Sequence, residues 1–226
     1  MGCSGGRAAG RAVAAVMGGS LLAGCATRAG AGQAGPTGTQ VTPARPPALS
    51  DTRLRALLLT AGDLGEDHAR QAVPSPSPGE PTASVKGCRS LERWARERPL
   101  KDLAGEAATR FVSPSTRHEL TEELHSDRPA ALSARLREFF DAYTGCRRYT
   151  LTSPSLTIDM TVSQVPAPRL GDESRACLEQ LTSFTGPNDF TKTVAVREGN
   201  ITVLLRGTPA LVDREIGTAV ARLPTG

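Results

Sequence analysis

The sequence predicts an α+β fold: an antiparallel β-sheet with helices packed on one face, in a single domain spanning residues 51–226. Three patterns carry that prediction. Ile158, Met160 and Val162 alternate with Thr157, Asp159, Thr161 and Ser163, the period of a strand with one buried and one wet face. Val194 and Val196 lead into Gly199-Asn200, residues tolerant of positive φ, and Ile201, Val203 and Leu205 lead out, as in a hairpin. Leu132, Leu136, Phe139 and Tyr143 recur at spacings of four, three and four, which places them on one face of a helix. Strands that alternate and reverse by tight turns, interspersed with amphipathic helices, give this class.

The elements follow in order. Ser50 or Asp51 caps a short helix that puts Leu54, Leu57 and Leu58 together. A helix over 89–98 buries Leu91 and Trp94. From Glu106 to Leu124, two alternating runs flank Ser113-Pro114-Ser115 and predict a hairpin holding Phe111, Leu120 and Leu124. Asp127 caps the next helix, Pro129 sits in its first turn and Gly145 ends it. After the strand centred on Met160, a further strand runs over 175–184. The closing helix begins at Thr208-Pro209, with proline at the first helical position, and presents Val212, Ile216, Ala219 and Leu223 on one side.

Ahead of this domain, Arg7 and Arg11 precede an apolar or small-residue run from Ala12 to Leu22, which ends in Leu22-Ala23-Gly24-Cys25. Basic start, apolar middle and small residues before a cysteine are the parts of a lipoprotein export signal. The run is well short of the roughly 20 residues needed to span a bilayer. Residues 1–24 therefore read as a signal peptide, and Cys25 as the site of a diacylglyceryl anchor that holds the chain at the extracytoplasmic face of the cell membrane. Met1-Gly2-Cys3-Ser4 resembles a myristoylation start but has Gly6 where Ser or Thr is wanted. Residues 25–50, rich in Gly, Ala, Thr and Pro, bury too little apolar surface to order themselves and read as a tether. Pro74 to Gly79 reads as a surface loop.

The formal charge of +4 falls by two, to +2, when Arg7 and Arg11 leave with the signal. Arginines are interleaved with acids, as in Asp213-Arg214-Glu215, so no basic stripe forms and nucleic acid is excluded as a partner. Cys88, Cys146 and Cys177 remain in the domain and allow one internal disulfide, chosen from three pairs. Cys88 opens one helical pattern and Cys146 closes another, so the expected bridge is Cys88–Cys146. Closing that loop contributes about 4 kcal/mol in the chain-entropy account. Cys177, in a strand, is expected to be a buried structural thiol.

No residue set names a reaction. There is no Gly-x-Ser-x-Gly turn. His118 and His125 are seven apart in a strand pattern, which puts them on opposite faces. Glu66-Asp67-His68 are adjacent loop residues that do not converge on a metal unaided, and no metal or other cofactor is expected. Glu122-Glu123 read as the wet edge of a strand. Asn200-Ile201-Thr202 matches a glycosylation sequon, but Asn200 is explained by its turn. Trp94, Tyr143 and Tyr149 are the large groups able to line a ligand cleft, although their places in amphipathic patterns also suit a core.

The segment from Asp51 to Gly226 resembles the PknH-like extracellular domain, the sensor-type domain of actinobacterial membrane kinases and related lipoproteins. The likeness rests on Leu58-Leu59-Thr60-Ala61-Gly62-Asp63-Leu64, on Cys88 before a helix and Cys146 after another, on Leu170-Gly171-Asp172-Glu173, and on Val194-Ala195-Val196-Arg197-Glu198-Gly199-Asn200 before a closing helix. It implies an α+β domain with a cleft for an extracellular ligand. Two departures stand out: too few cysteines for the family's two internal disulfides, and no kinase, so any signal passes through a partner. The expectation is a membrane-anchored, non-catalytic sensor or ligand-binding domain. The alternative is a cell-envelope module that binds a protein or the cell wall and has no small-molecule pocket.

Overall fold

The computed structural model describes residues 47–65, 67–73, 84–97, 102–153, 156–182 and 189–224. The predicted signal, Cys25, the tether as far as residue 46 and the Pro74–Gly79 stretch lie outside them.

An antiparallel sheet of nine strands organises the domain, in the spatial order β1-β3-β4-β9-β8-β7-β6-β5-β2. Its strands are β1 (Ala69–Gln71), β2 (Ser84–Lys86), β3 (Gly105–Val112), β4 (Glu119–Ser126), β5 (Arg148–Ser153), β6 (Leu156–Gln164), β7 (Glu173–Thr182), β8 (Asp189–Glu198) and β9 (Ile201–Gly207). The helices are α1 (Asp51–Arg55), α2 (Ala61–Leu64), α3 (Arg89–Glu97), α4 (Pro129–Thr144) and α5 (Pro209–Ala221). The α+β class is as the sequence predicted. The expectation of helices on one face is corrected: they cover parts of both.

The reason lies in the central strands. On β8 and β9, Val194, Val196, Val203 and Leu205 pack with Leu211, Val212, Ile216 and Ala219 of α5 and with Leu54 and Leu64 of α1 and α2. The residues between them, Ala195 and Leu204, pack on the other side with Leu136, Phe139 and Phe140 of α4 and Leu91 of α3. Successive side chains on a strand point to opposite faces, so strands apolar at both parities require cover on both. Residues 201–205 are accordingly all buried.

Two small cores result, and the disulfide staples one of them. Cys88 at the start of α3 is bonded to Cys146, just beyond α4, with Cα atoms 5.8 Å apart. The other core is pinned by the chain that enters it. Pro47 and Leu49, assigned above to the tether, are already held: Asn200 Nδ2 donates to Pro47 O at 2.6 Å, and Leu49 N donates to Ser126 Oγ at 2.9 Å.

Several local readings change. Between β8 and β9 only Gly199 has positive φ, the pattern of a type II′ rather than a type I′ turn; Asn200 is explained by its bond to Pro47. The α4 N-cap is Arg128, not Asp127, whose carboxylate accepts the Arg128 N–H at 2.6 Å. Glu122 is not on a wet edge: β4 lies between β3 and β9, and Glu122 is fully buried.

Candidate functional site

Among the described residues, no helix covers the β2–β5–β6 end of the α5 face, the bare quarter of the sheet. On the α5 side, cover stops at the salt bridge between Lys192 of β8 and Asp213 of α5, whose charged atoms are 2.5 Å apart. Beyond it the strand register lays out parallel rows of side chains, because residues opposite one another on paired strands share a face. One row is Lys86, Thr150, Asp159 and Thr182, across β2, β5, β6 and β7. The next is Arg148, Thr161, Gln180 and Phe190, across β5 to β8. A third, Ser163, Leu178 and Lys192, borders the covered half.

Three adjoining hollows lie along these rows. One, of about 460 Å³, is lined by Lys86, Arg148 and Asp159. A second, of about 350 Å³, shares Arg148 and Thr161 with it and adds Arg147, Gln180 and Phe190. A third, of about 960 Å³, shares Leu178 and Phe190 and is walled by the start of α5 at Thr208–Ala210. Phe190 is 45% exposed, one of two large apolar side chains so exposed among the described residues. Among those residues, Lys86, Arg147 and Arg148 form no ion pair, while the Asp159 carboxylate accepts the Thr150 hydroxyl at 2.9 Å. Gly207 lies beside this floor, and a Cβ there would collide with the Glu119 carbonyl.

The aromatic residues proposed from sequence to line a cleft belong instead to the opposite face. Trp94 stacks edge-on against Phe139 and Tyr143, at centroid distances of 5.2 and 5.7 Å, joining α3 to α4. The Tyr149 ring is buried in that core, although the residue also borders the first hollow. Its hydroxyl donates to Glu179 Oε1 at 2.5 Å. Arg206 Nη2 lies 2.8 Å from the other Glu179 oxygen and Arg206 Nη1 lies 3.5 Å from the Tyr143 hydroxyl. Burial, then the neighbouring Glu179 charge, pushes the Tyr149 phenol far above its ordinary range, so it stays a donor. Thus Tyr149 bonds the buried carboxylate directly, while Tyr143 meets it only through Arg206. Cys177 is in the same core; burial and Glu179 push its thiol up to about 12, which keeps it protonated and unreactive.

The motifs that carried the family resemblance are structural too. Asp172 Oδ2 accepts from Arg197 Nη1 at 2.7 Å and from the Gly199 N–H at 3.0 Å. These bonds, the Gly199 N–H first, hold its carboxyl below the ordinary value. At Gly171, with φ +60°, a Cβ would strike the Arg197 carbonyl. The Gly171-Asp172 turn and the β8–β9 turn therefore clasp one another. In the Leu58–Leu64 motif, Asp63 binds Thr60 and Arg222, and the Leu59 N–H donates to Glu122 Oε2 at 2.7 Å. Burial raises the Glu122 carboxyl to about 7, opposed by that N–H.

Of the other sequence candidates, Asp67 accepts the Ser113 and Ser115 hydroxyls at 2.5 Å each and so fastens the β3–β4 turn. His118 precedes β4, exposed, whereas His125 is buried within it. Among the described residues no three metal-ligating side chains cluster, and no helix is long and apolar enough to cross a membrane. Sequence reasoning missed Lys86, Arg148, Gln180 and Phe190. The available signal was the change of residue type along β7 and β8, where Ala176 and Val194 give way at the same parity to Gln180, Lys192 and Phe190.

No family model matches the chain, and no curated protein matches it. Among solved structures it is similar to the extracellular domain of PknH from Mycobacterium tuberculosis, with a TM-score of 0.55 and 14% identity over 77% of this chain and 94% of that one. The likeness is one of fold, and it agrees with the architecture that the sequence resemblance implied.

Proposed function

We propose that the chain is a lipoprotein anchored through Cys25 at the outer face of the cell membrane, whose domain is a non-catalytic sensor or ligand-binding module. The observation that carries the ligand-binding reading is the bare quarter of the sheet. Three adjoining hollows run over cations without ion-pair partners among the described residues, over hydrogen-bonding side chains, and over an exposed phenylalanine. A concave surface with a few polar groups and an apolar floor is what small-ligand recognition needs. The titratable groups whose proton affinity departs most from ordinary values, Glu122, Tyr149, Cys177 and Arg206, are engaged in the two cores, and of them only Tyr149 also borders a hollow, which supports binding over catalysis. The likeness to an extracellular domain supports the address, as does the lipobox at Leu22–Cys25.

One experiment tests anchor and ligand together. The chain is recovered from its own cells as wild type and as Cys25→Ala, and each is weighed in native and denatured states. The wild type is expected in the membrane fraction and Cys25→Ala in the soluble one. Native mass should exceed denatured mass by one ligand, and the excess should vanish in a Lys86→Ala/Arg148→Ala variant. Cys25→Ala remaining with the membrane overturns the anchor; equal masses for the wild type overturn the ligand and favour an envelope protein or cell-wall partner.

A further inference from the structure

We infer that the bare quarter of the sheet binds an acidic saccharide, an inference that rests on the ligand-binding reading above and gives its chemistry. The charge is one-sided. Lys86 on β2, Arg148 on β5 and Arg147 just before it are exposed and, among the described residues, make no ion pair; the first two hollows hold one carboxylate, Asp159, and the third holds Glu119, which is paired with Arg110. A ligand that settles there brings negative charge, since charge-assisted bonds from Lys and Arg are the strongest contacts this surface offers.

The neutral groups define what carries that charge. Thr161, Gln180 and Thr182 follow one another across β6 and β7, and among the described residues none of their side chains is engaged in a hydrogen bond. Hydroxyls and an amide laid out along a surface suit a ligand bearing many hydroxyls of its own, because each side donates and accepts. The free oxygen of Asp159 accepts a hydroxyl proton without requiring a cation. At the far end Phe190, 45% exposed, and half-buried Leu178 offer a flat apolar patch on which the C–H face of a sugar ring loses water.

Shape separates this ligand from other anions. The cations are spread over β2 and β5 rather than gathered round a glycine-rich loop or the start of a long helix, so the surface is not a phosphate cradle. Apolar lining is concentrated at the α5 end, where Leu181, Pro209 and Ala210 join Phe190 and Leu178, whereas the rows from Lys86 to Gln180 are polar throughout. The polar rows cross the face of the sheet from the edge strand β2 inward to β8, rather than running along one strand edge, where an extended peptide would pair. From β2 to β8 the face crosses four strand spacings, roughly 19 Å at about 4.8 Å each, and it is open to solvent. That accommodates several rings of a chain passing across it.

The test is a titration of the ¹⁵N-labelled full chain, disulfide intact, followed by amide shifts, with tetragalacturonate, maltotetraose and tetraglutamate as probes. Tetragalacturonate should shift amides of β5 to β8. Its affinity should fall about tenfold or more in Lys86→Ala/Arg148→Ala, where two charge-assisted contacts are lost, and severalfold in Phe190→Ala. Affinity should also fall as salt rises. Maltotetraose should act on the same amides more weakly, and tetraglutamate should leave them unmoved. Tetraglutamate binding there as tightly as the sugar acid overturns the saccharide assignment, as does the absence of any shift with either sugar or shifts confined to another face. Should those results coincide with a retained ligand of another class that the double variant loses, the ligand-binding reading stands while this assignment falls. Unchanged thermal unfolding of the variants shows that any lost binding is local.

Discussion

The covered and the bare halves of one sheet face share β7 and β8, and the side chains change character along both strands. On β8, Val196 and Val194 lie under α5, whereas Lys192 and Phe190 at the same parity lie at its margin and beyond it. On β7, Ala176 is buried in the α5 core, whereas Leu178, Gln180 and Thr182 are half-buried or exposed. Nothing in the backbone distinguishes the halves, since both are regular antiparallel ladder. The difference is chemical. Apolar volume is placed where a helix arrives and withheld elsewhere, so the bare half is a polar surface in its own right and not an unfinished core. Its hydrogen-bonding groups remain available to a partner, while those of the covered half are spent on the fold.

The sharpest way to break this comparison is to remove volume from the covered half. Leu205 is fully buried between the sheet and α5, and Leu205→Ala is expected to lower unfolding stability by about 2–5 kcal/mol. Denaturant unfolding of the oxidised chain at fixed pH measures it. A loss below about 1 kcal/mol would show that this half is loosely packed and that the contrast with the bare half is false.

A second prediction concerns Glu122, a carboxylate fully buried in the covered half. Burial, aided by the charge of Asp63, outweighs the Leu59 N–H, Arg222 and Arg70 and raises the Glu122 pKa to about 7 from an ordinary value of 4.5. Between those values the folded chain holds a proton that the unfolded chain has released. Stability is therefore full below pH 4.5, falls as pH rises towards 7, and is level above it. The difference between the limits is about 3 kcal/mol at most. Glu122→Gln keeps an acceptor for the Leu59 N–H but cannot ionise, so it should flatten this slope. Unfolding curves for both proteins between pH 4.5 and 8 decide the matter, and parallel curves would mean that Glu122 ionises in contact with water.

How much of this was legible in the sequence follows from the same contrast. The α5 core was, because Val212, Ile216 and Ala219, and Val194, Val196, Val203 and Leu205, repeat at the periods of helix and strand. The Cys88–Cys146 bond could be anticipated because each cysteine adjoins a helix end. Cover on both faces was less visible, since Ala195 and Leu204 sit in strands whose other parity already explained them. Glu122 looked solvated because a carboxylate pair usually is; that β9 lies beside β4 is a long-range fact with no local signature. The candidate site was hidden most fully. Its cations sit on or just before β2 and β5, short strands without strong alternation, and only the successive pairings from β2 to β8 set Lys86 and Arg148 on one face with Phe190.

The smallest expected effect sharpens the comparison from the other side. Leu178 is an apolar side chain of the bare half, half-buried and bordering two of the hollows. Were this half an extension of the core, Leu178→Ala would cost nearly as much as Leu205→Ala. As the floor of an open surface, Leu178 keeps part of its contact with water in the folded chain, and its truncation leaves no sealed cavity. The expected loss is about 1 kcal/mol or less, in the range of substitutions away from a packed core. Its measurable consequence lies in binding, because the apolar patch beside Phe190 shrinks. Denaturant unfolding and ligand titration of the same variant separate the two readings. A stability loss matching that of Leu205→Ala would place Leu178 in the core and take it out of the apolar patch beside Phe190.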